Sequence, residues 1–288
     1  MTRNLATIIG FGAVLLWSTL AVLTVASGSV PPLLLNAICF AIGGAVGVVW
    51  LCATGEFKAL RAVPLRAYVF GTVGLFGYHF LYFSALRMAP PAQAGLLNYL
   101  WPLLIVLLSG LLPGERLGTP HIVGALLAFC GAALVIGGGI GAGLSTQAAL
   151  GYLLAIAAAV VWAIYSVGAR AFSGVPTGAV AVFCLATSVL SALAHIGLEP
   201  TIWPQDAGQW CAVIALGLGP VGLAFFVWDI GMKRGDIQLL GVAAYAAPLL
   251  STALLVVSGA SRPGWSLLAA AVLITLGAAI ASSARRKP

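Results

Sequence analysis

Apolar residues run along this chain in long blocks, divided by short breaks that carry glycine, proline or charge. A helix rises 1.5 Å per residue, so roughly 20 apolar residues cross a hydrocarbon core about 30 Å thick. Ten blocks meet that length, at about 4–26, 31–53, 65–86, 91–111, 119–138, 148–170, 176–197, 208–231, 236–258 and 264–284. The first has a charged start at Arg3 and an apolar body, as a signal peptide does. It runs too long for one and no small-residue cleavage site stands apart from it, so it reads as a membrane helix. The longer breaks, near 54–64, 139–147 and 198–207, hold no pattern of a separate domain.

The blocks repeat. At a shift of 145 positions Trp17 meets Trp162 and Pro31 meets Pro176. At a shift of 146, Gly71 meets Gly217, Tyr99 meets Tyr245, Pro102 meets Pro248, Gly118 meets Gly264 and Gly131 meets Gly277. Tryptophan and proline are uncommon here, so their coincidence at one nearly constant shift marks an internal duplication. It divides the chain into 1–140 and 148–288, with five helices in each part. Five is odd, so the second unit enters the membrane upside down relative to the first. The expected fold is an all-α integral membrane protein, ten transmembrane helices forming two inverted five-helix repeats around a central cavity.

Composition agrees: 62% of the 288 residues are hydrophobic and 7% charged, with mean hydropathy +1.12, where a soluble domain carries about 25% charge. The net charge of +7 could suggest nucleic acid, but its distribution follows the membrane. With the N-terminus in the cytoplasm, only Arg87 and Arg262 of the 13 basic residues fall outside. The positive-inside bias therefore puts both termini in the cytoplasm. Cys39, Cys52, Cys130, Cys184 and Cys211 are scattered without C-x-x-C spacing, which argues against disulfides and zinc and for small buried hydrophobes. No phosphate loop is present. Gly217-Leu218-Gly219-Pro220-Val221-Gly222 matches a dinucleotide fingerprint by letter, but it lies inside a membrane block with no strand before it. Neither a serine nucleophile motif, nor paired membrane aspartates, nor H-E-x-x-H occurs, so no enzyme is expected. No cofactor, metal or nucleic-acid partner is expected either.

The candidate chemistry is aromatic. Trp and Tyr normally gather at membrane interfaces, which suits Trp50, Trp203, Trp210 and Trp265 near block ends. It suits mid-block aromatics poorly, because a polar N–H or O–H in lipid lacks a partner. Trp17, Tyr78, Tyr82, Tyr99, Trp101, Trp162, Tyr165, Trp228 and Tyr245 are therefore candidates to line a water-accessible, substrate-binding cavity; helix–helix packing is the competing reading. His79 joins them as the histidine in mid-block, able to contact a substrate carboxylate or carry a proton, or else to bond a neighbouring helix. Asp229 stands one turn before Lys233 and reads as its ion-pair partner, or as a gate or cation site. Pro102 and Pro248 interrupt their helices at matching places and are candidate hinges. Gly43-x-x-x-Gly47 and Gly124-x-x-x-Ala128 permit close helix approach within one chain, which favours a monomer over a dimer.

Leu16-Trp17-Ser18-Thr19, Asn98-Tyr99-Leu100-Trp101-Pro102, and Tyr245 with Pro248 resemble the drug/metabolite transporter superfamily and its EamA-type repeat. Gly114-Glu115 also fits the family's habit of placing an acid just past the fourth helix, but the second-half counterpart is Ser261. The resemblance covers essentially the whole chain. It implies a secondary transporter that exports amino acids, aromatic and other neutral ones, and related metabolites by alternating access. Export of small drugs or quaternary-ammonium compounds is the alternative, and a channel a further one.

Overall fold

A computed structural model describes residues 1–109, 118–141, 145–172, 174–235, 240, 244, 246–262 and 264–282. Among these residues the chain is helical throughout, with no strand. Six helical stretches are long and apolar enough to cross a bilayer: Arg3–Ala26, Pro32–Thr54, Leu65–Met88, Thr146–Gly168, Ala179–Leu198 and Ala207–Met232. Shorter apolar helices accompany them.

The first stretch is two helices, α1 (Arg3–Ser18) and α2 (Leu20–Ala26), parted at Thr19, whose hydroxyl bonds the Leu16 carbonyl at 2.7 Å. Next come α3 (Pro32–Thr54), the one-turn α4 (Phe57–Leu60) and α5 (Leu65–Met88). The fourth block is a pair, α6 (Pro91–Asn98) and α7 (Trp101–Ser109). Pro102 therefore does not kink a continuous helix. It sits in the first turn of α7, where its missing N–H has no partner to lose. Then follow α8 (Thr119–Gly141), α9 (Thr146–Gly168) and α10 (Ala179–Leu198). The eighth block is α11 (Ala207–Leu218), a π-turn over Gly219–Leu223, and α12 (Ala224–Arg234). Last are α13 (Ala246–Val257), which holds Pro248, and α14 (Trp265–Ser282).

Four pairings dominate the packing: α8 with α14, α3 with α10, α5 with α9, and α1 with α12. Each joins the first half of the chain to the second. Small residues set the approach. A Cβ on Gly47 would lie 2.7 Å from the Ala181 Cα, and one on Gly43 3.1 Å from the Gly222 Cα. One on Gly277 would fall 2.5 Å from the Gly124 carbonyl. Both small-residue motifs thus pack helices within this chain.

The pair α3–α10 runs antiparallel and is closed at both ends by carboxylates. Glu199, just past α10, accepts from the first amides of α3, Leu33 N–H at 3.0 Å and Leu34 N–H at 3.3 Å. Glu56, just past α3, accepts from Gly178 N–H at 3.2 Å at the start of α10. Orphan amides at a helix start need such partners, and a negative group suits the positive end of the helix dipole. His195 lies 3.1 Å from Glu199, so the two closures differ. Between them Asn36 Nδ2 donates to Ser191 Oγ at 3.0 Å, and the Ser188 hydroxyl donates to the Ala37 carbonyl at 2.8 Å.

The distribution of side chains is inverted relative to a soluble protein. Ser18, Thr24, Ser27 and Ser191 are buried and return their hydroxyls to backbone carbonyls. Val189, Leu193 and Ile196 on α10, and Ile122, Leu126 and Phe129 on α8, point outward. Such a surface needs hydrocarbon around it. The five cysteines are free, but only Cys39 and Cys184 are buried; Cys52, Cys130 and Cys211 join the apolar exterior. A thiol behaves as a small hydrophobe, so it is suited to either place.

Candidate functional site

Trp17 lies in the last turn of α1, just before the Thr19 break, and its indole occupies the middle of the molecule. Its Nε1–H donates to the Pro220 carbonyl at 3.1 Å, across 203 residues of sequence. That carbonyl is available because the π-turn at Gly219–Leu223 opens the regular hydrogen-bond ladder. Gly222 makes the turn possible where α3 crosses: a Cβ there would lie 3.2 Å from the Gly43 Cα. The stretch that mimics a dinucleotide fingerprint is thus a helix bend that presents an acceptor to Trp17.

Around Trp17 stand Trp228 at 5.0 Å, Trp162 at 5.5 Å, Phe225 at 6.1 Å and Trp101 at 6.4 Å between ring centres. Most meet it edge to face, the arrangement that sets a positive ring edge against a negative ring face. Tyr78 is 5.0 Å from Trp162 and stacks on Tyr82 at 5.9 Å, one helical turn along α5. The Tyr99 hydroxyl donates to the Trp17 carbonyl at 3.3 Å. Asn98, at the end of α6, donates from Nδ2 to the Tyr78 hydroxyl at 3.0 Å.

Between these groups lies a chamber lined by Trp17, Leu20, Tyr78, Tyr82, Asn98, Tyr99, Trp101 and Trp162. The rings are drawn together, leaving room for about one water molecule. Among the described residues no acidic or basic side chain lines it. Its recognition chemistry is ring faces, hydroxyls, indole N–H groups and one amide.

Six of the residues expected at a cavity are therefore brought together: Trp17, Tyr78, Tyr82, Tyr99, Trp101 and Trp162. Trp228 and Tyr165 stand one layer behind. Trp228 backs Trp17 and Trp101, and Tyr165 stacks on Phe70 at 5.6 Å while touching Trp162 at 5.2 Å. His79 is fully buried but does not border the chamber. Its Nδ1 bonds the Leu75 carbonyl at 3.0 Å, and the rings of Phe40, Tyr78, Phe83 and Phe225 enclose it at 4.8–5.6 Å. A solute reaches it only if one of those rings moves. Asp229 accepts a short hydrogen bond from the Thr177 hydroxyl, and the side chain of Lys233 lies outside what is described. Tyr245 and Glu115 also lie outside the described residues.

Asn98, Leu20 and Phe225 were not among the expected site residues. Asn98 carried a signal: it is the polar residue immediately before the aromatic-proline stretch. Leu20 is three residues beyond Trp17, the spacing of one helix face, but nothing in the letters separates it from other leucines. Phe225 is reached only by knowing which face of α12 meets α1.

Residues 4–137 and 149–283 match the EamA-like transporter family. Over its whole length the chain is 55% identical to the aromatic amino acid exporter YddG of Ancylobacter novellus, covering all of both proteins. It is 29% identical to the protein of that name from Salmonella typhimurium and 28% to that of Escherichia coli, again across both full lengths. One solved crystal structure, 55% identical in sequence, superimposes with a TM-score of 0.79 over 97% of this chain and 98% of the other.

Proposed function

This chain belongs to the EamA-like transporter family, and on that premise we propose that it exports neutral amino acids, aromatic ones above all, with related metabolites. The observation that carries this reading is the chamber itself, walled by Trp17, Tyr78, Tyr82, Tyr99, Trp101 and Trp162 and, among the described residues, free of acidic or basic lining. Ring faces stack on an aromatic side chain. A wall without fixed charge accommodates a zwitterion, whose own charges cancel, at lower cost than a net ion. Relatives of equal length carry the name of aromatic amino acid exporters, which supports the same substrate class.

The mechanism is alternating access by two inverted five-helix units, 1–140 and 148–288. The packing supports this arrangement. Exchanging the two halves maps α3–α10 and α8–α14 onto themselves and α1–α12 onto α5–α9. The antiparallel course of α3 and α10 is what such an exchange requires. In a bacterial inner membrane with both termini cytoplasmic, Glu199 closes its helix on the outer side and Glu56 on the inner side. Breaks at Thr19, between Asn98 and Trp101, and at Gly219–Leu223 all adjoin the chamber, so half-helices can tilt without dragging whole spans. Pro102 and Pro248 serve as hinges, Pro102 by fixing where α7 restarts. The unit of function is the monomer.

The cage of rings also suits a quaternary ammonium through cation–π contact, which favours a drug exporter as the second reading. Purified protein in liposomes distinguishes the two. Labelled phenylalanine and threonine should show saturable flux and counterflow, measured with and without an imposed pH gradient. Flux of a cationic dye in place of amino acids would overturn the amino acid reading. Flux that rises linearly with concentration, without counterflow, would replace the carrier by a channel.

A further inference from the structure

The fourth block stops short where the chamber begins. Tyr99 N–H bonds the Gly95 carbonyl at 3.0 Å and Leu100 N–H the Leu97 carbonyl at 3.2 Å, which ends α6 in a tightened turn. The residue four beyond Asn98 is Pro102, which has no N–H to give the Asn98 carbonyl. A helix C-terminus collects partial negative charge from such carbonyls. Asn98 is itself only 2% exposed, and while its Nδ2 is used on Tyr78, its Oδ1 is buried with no hydrogen-bond partner. Leaving a buried acceptor unpaired is unfavourable. Asn98 thus brings two acceptors, its Oδ1 and its own carbonyl, to the wall of a chamber that has no carboxylate among its described lining residues.

We propose that the Asn98 Oδ1 and the carbonyl end of α6 form the subsite for the ammonium group of the substrate, so that solutes carrying a protonated primary amine are selected. The assignment rests on the amino acid reading above. Tyr78 holds the amide with its oxygen free, and Tyr82, Tyr99 and Trp17 line the same chamber. An ammonium brings three donors and a positive charge, matching acceptors, a dipole end and ring faces at once. The substrate ring is then directed toward Trp101 and Trp162. In the second half the equivalent of Asn98 is Ala244, so the subsite exists once.

The test separates the two ends of the amino acid. Labelled phenylalanine counterflow in liposomes is challenged with phenethylamine, which keeps the ammonium, and with 3-phenylpropionate, which keeps the carboxylate. Phenethylamine should compete and 3-phenylpropionate should not. N98L should weaken phenethylamine by at least about tenfold, the loss of roughly one charged hydrogen bond. N98D, equal in size, should hold the amine at least as tightly as the parent, which also shows that the site is still folded. Competition by 3-phenylpropionate as strong as by the amine, or an N98L inhibition constant within twofold of the parent, overturns the subsite. If no phenylalanine moves at all, the exporter reading falls. Calorimetric titration of phenethylamine into the purified chain and into N98D then decides the subsite separately, an absence of heat in both overturning it.

Discussion

The α3–α10 pair and the chamber wall are built by opposite rules. At the pair each half gives the other the same thing: a helix, a face of small residues, and a glutamate that closes the partner's first turn. At the wall, among the described residues, seven of the eight that line it come from the first half and Trp162 from the second. Among the described residues a duplicated scaffold thus carries a site of unlike halves. Equal motion of two halves needs symmetric packing, whereas recognition of an asymmetric solute needs unlike groups around it. The duplication that keeps Tyr99 with Tyr245 and Pro102 with Pro248 accordingly leaves Asn98 opposite Ala244.

Substitutions test that contrast, and Trp17→Ala should be the most damaging. It removes the Pro220 hydrogen bond and four ring contacts, and truncating a buried Trp costs about 3–5 kcal/mol. Phenylalanine counterflow should fall more than about tenfold, while Trp17→Phe should retain part of it. Counterflow within twofold of the parent for the alanine variant would mean that the first half does not make the wall.

Gly47→Leu comes next and strikes the symmetric frame. Its side chain would begin 2.7 Å from the Ala181 Cα and 2.9 Å from the Phe226 ring, and overpacking of this kind costs about 1–3 kcal/mol. Ala181→Leu, made from the other half, should lower the unfolding temperature in detergent by a similar amount. A large difference between the two would break the symmetry assigned to the pair.

The closures predict a smaller, graded effect. Glu199→Gln weakens hydrogen bonds from two amides and should reduce stability by about 1–2 kcal/mol. Glu56→Gln, with a single amide at 3.2 Å, should shift the unfolding temperature less; an equal or larger shift would contradict the geometry. Smallest of all is Tyr165→Phe, which keeps its stack on Phe70 behind the wall. Transport should stay within about twofold, below about 0.5 kcal/mol, and a larger loss would move Tyr165 into the site.

Much of this was legible in the letters, and the remainder was hidden for identifiable reasons. Block lengths gave the long spans, and small-residue spacing gave contacts such as Gly43 with Gly222. Mid-block aromatics gave most of the wall, because an indole or phenol at membrane depth must find a partner. Periodicity, however, names a face and not its neighbour, so His79 was expected at the cavity though Phe40 and Phe225 close over it. A helix break was sought at Pro102 and lies just before it, between Asn98 and Trp101, and Tyr245 ahead of Pro248 is outside the described residues. Thr19, however, parts α1 from α2 with no proline, and the π-turn gathers around Pro220. The reciprocal glutamates were invisible because Glu56 and Glu199 do not align at the repeat shift: the positions that do are Thr201 and Thr54.

The order of synthesis gives those glutamates a further meaning. The carboxylate that receives the Leu33 amide lies 166 residues downstream of it, so α3 leaves the ribosome with its first turn unfinished. Until α10 has been made and its far end has reached α3, the first half of the chain holds an open seam. Assembly therefore cannot conclude half by half, and a nascent chain stopped before Glu199 should stay a client of the insertion machinery.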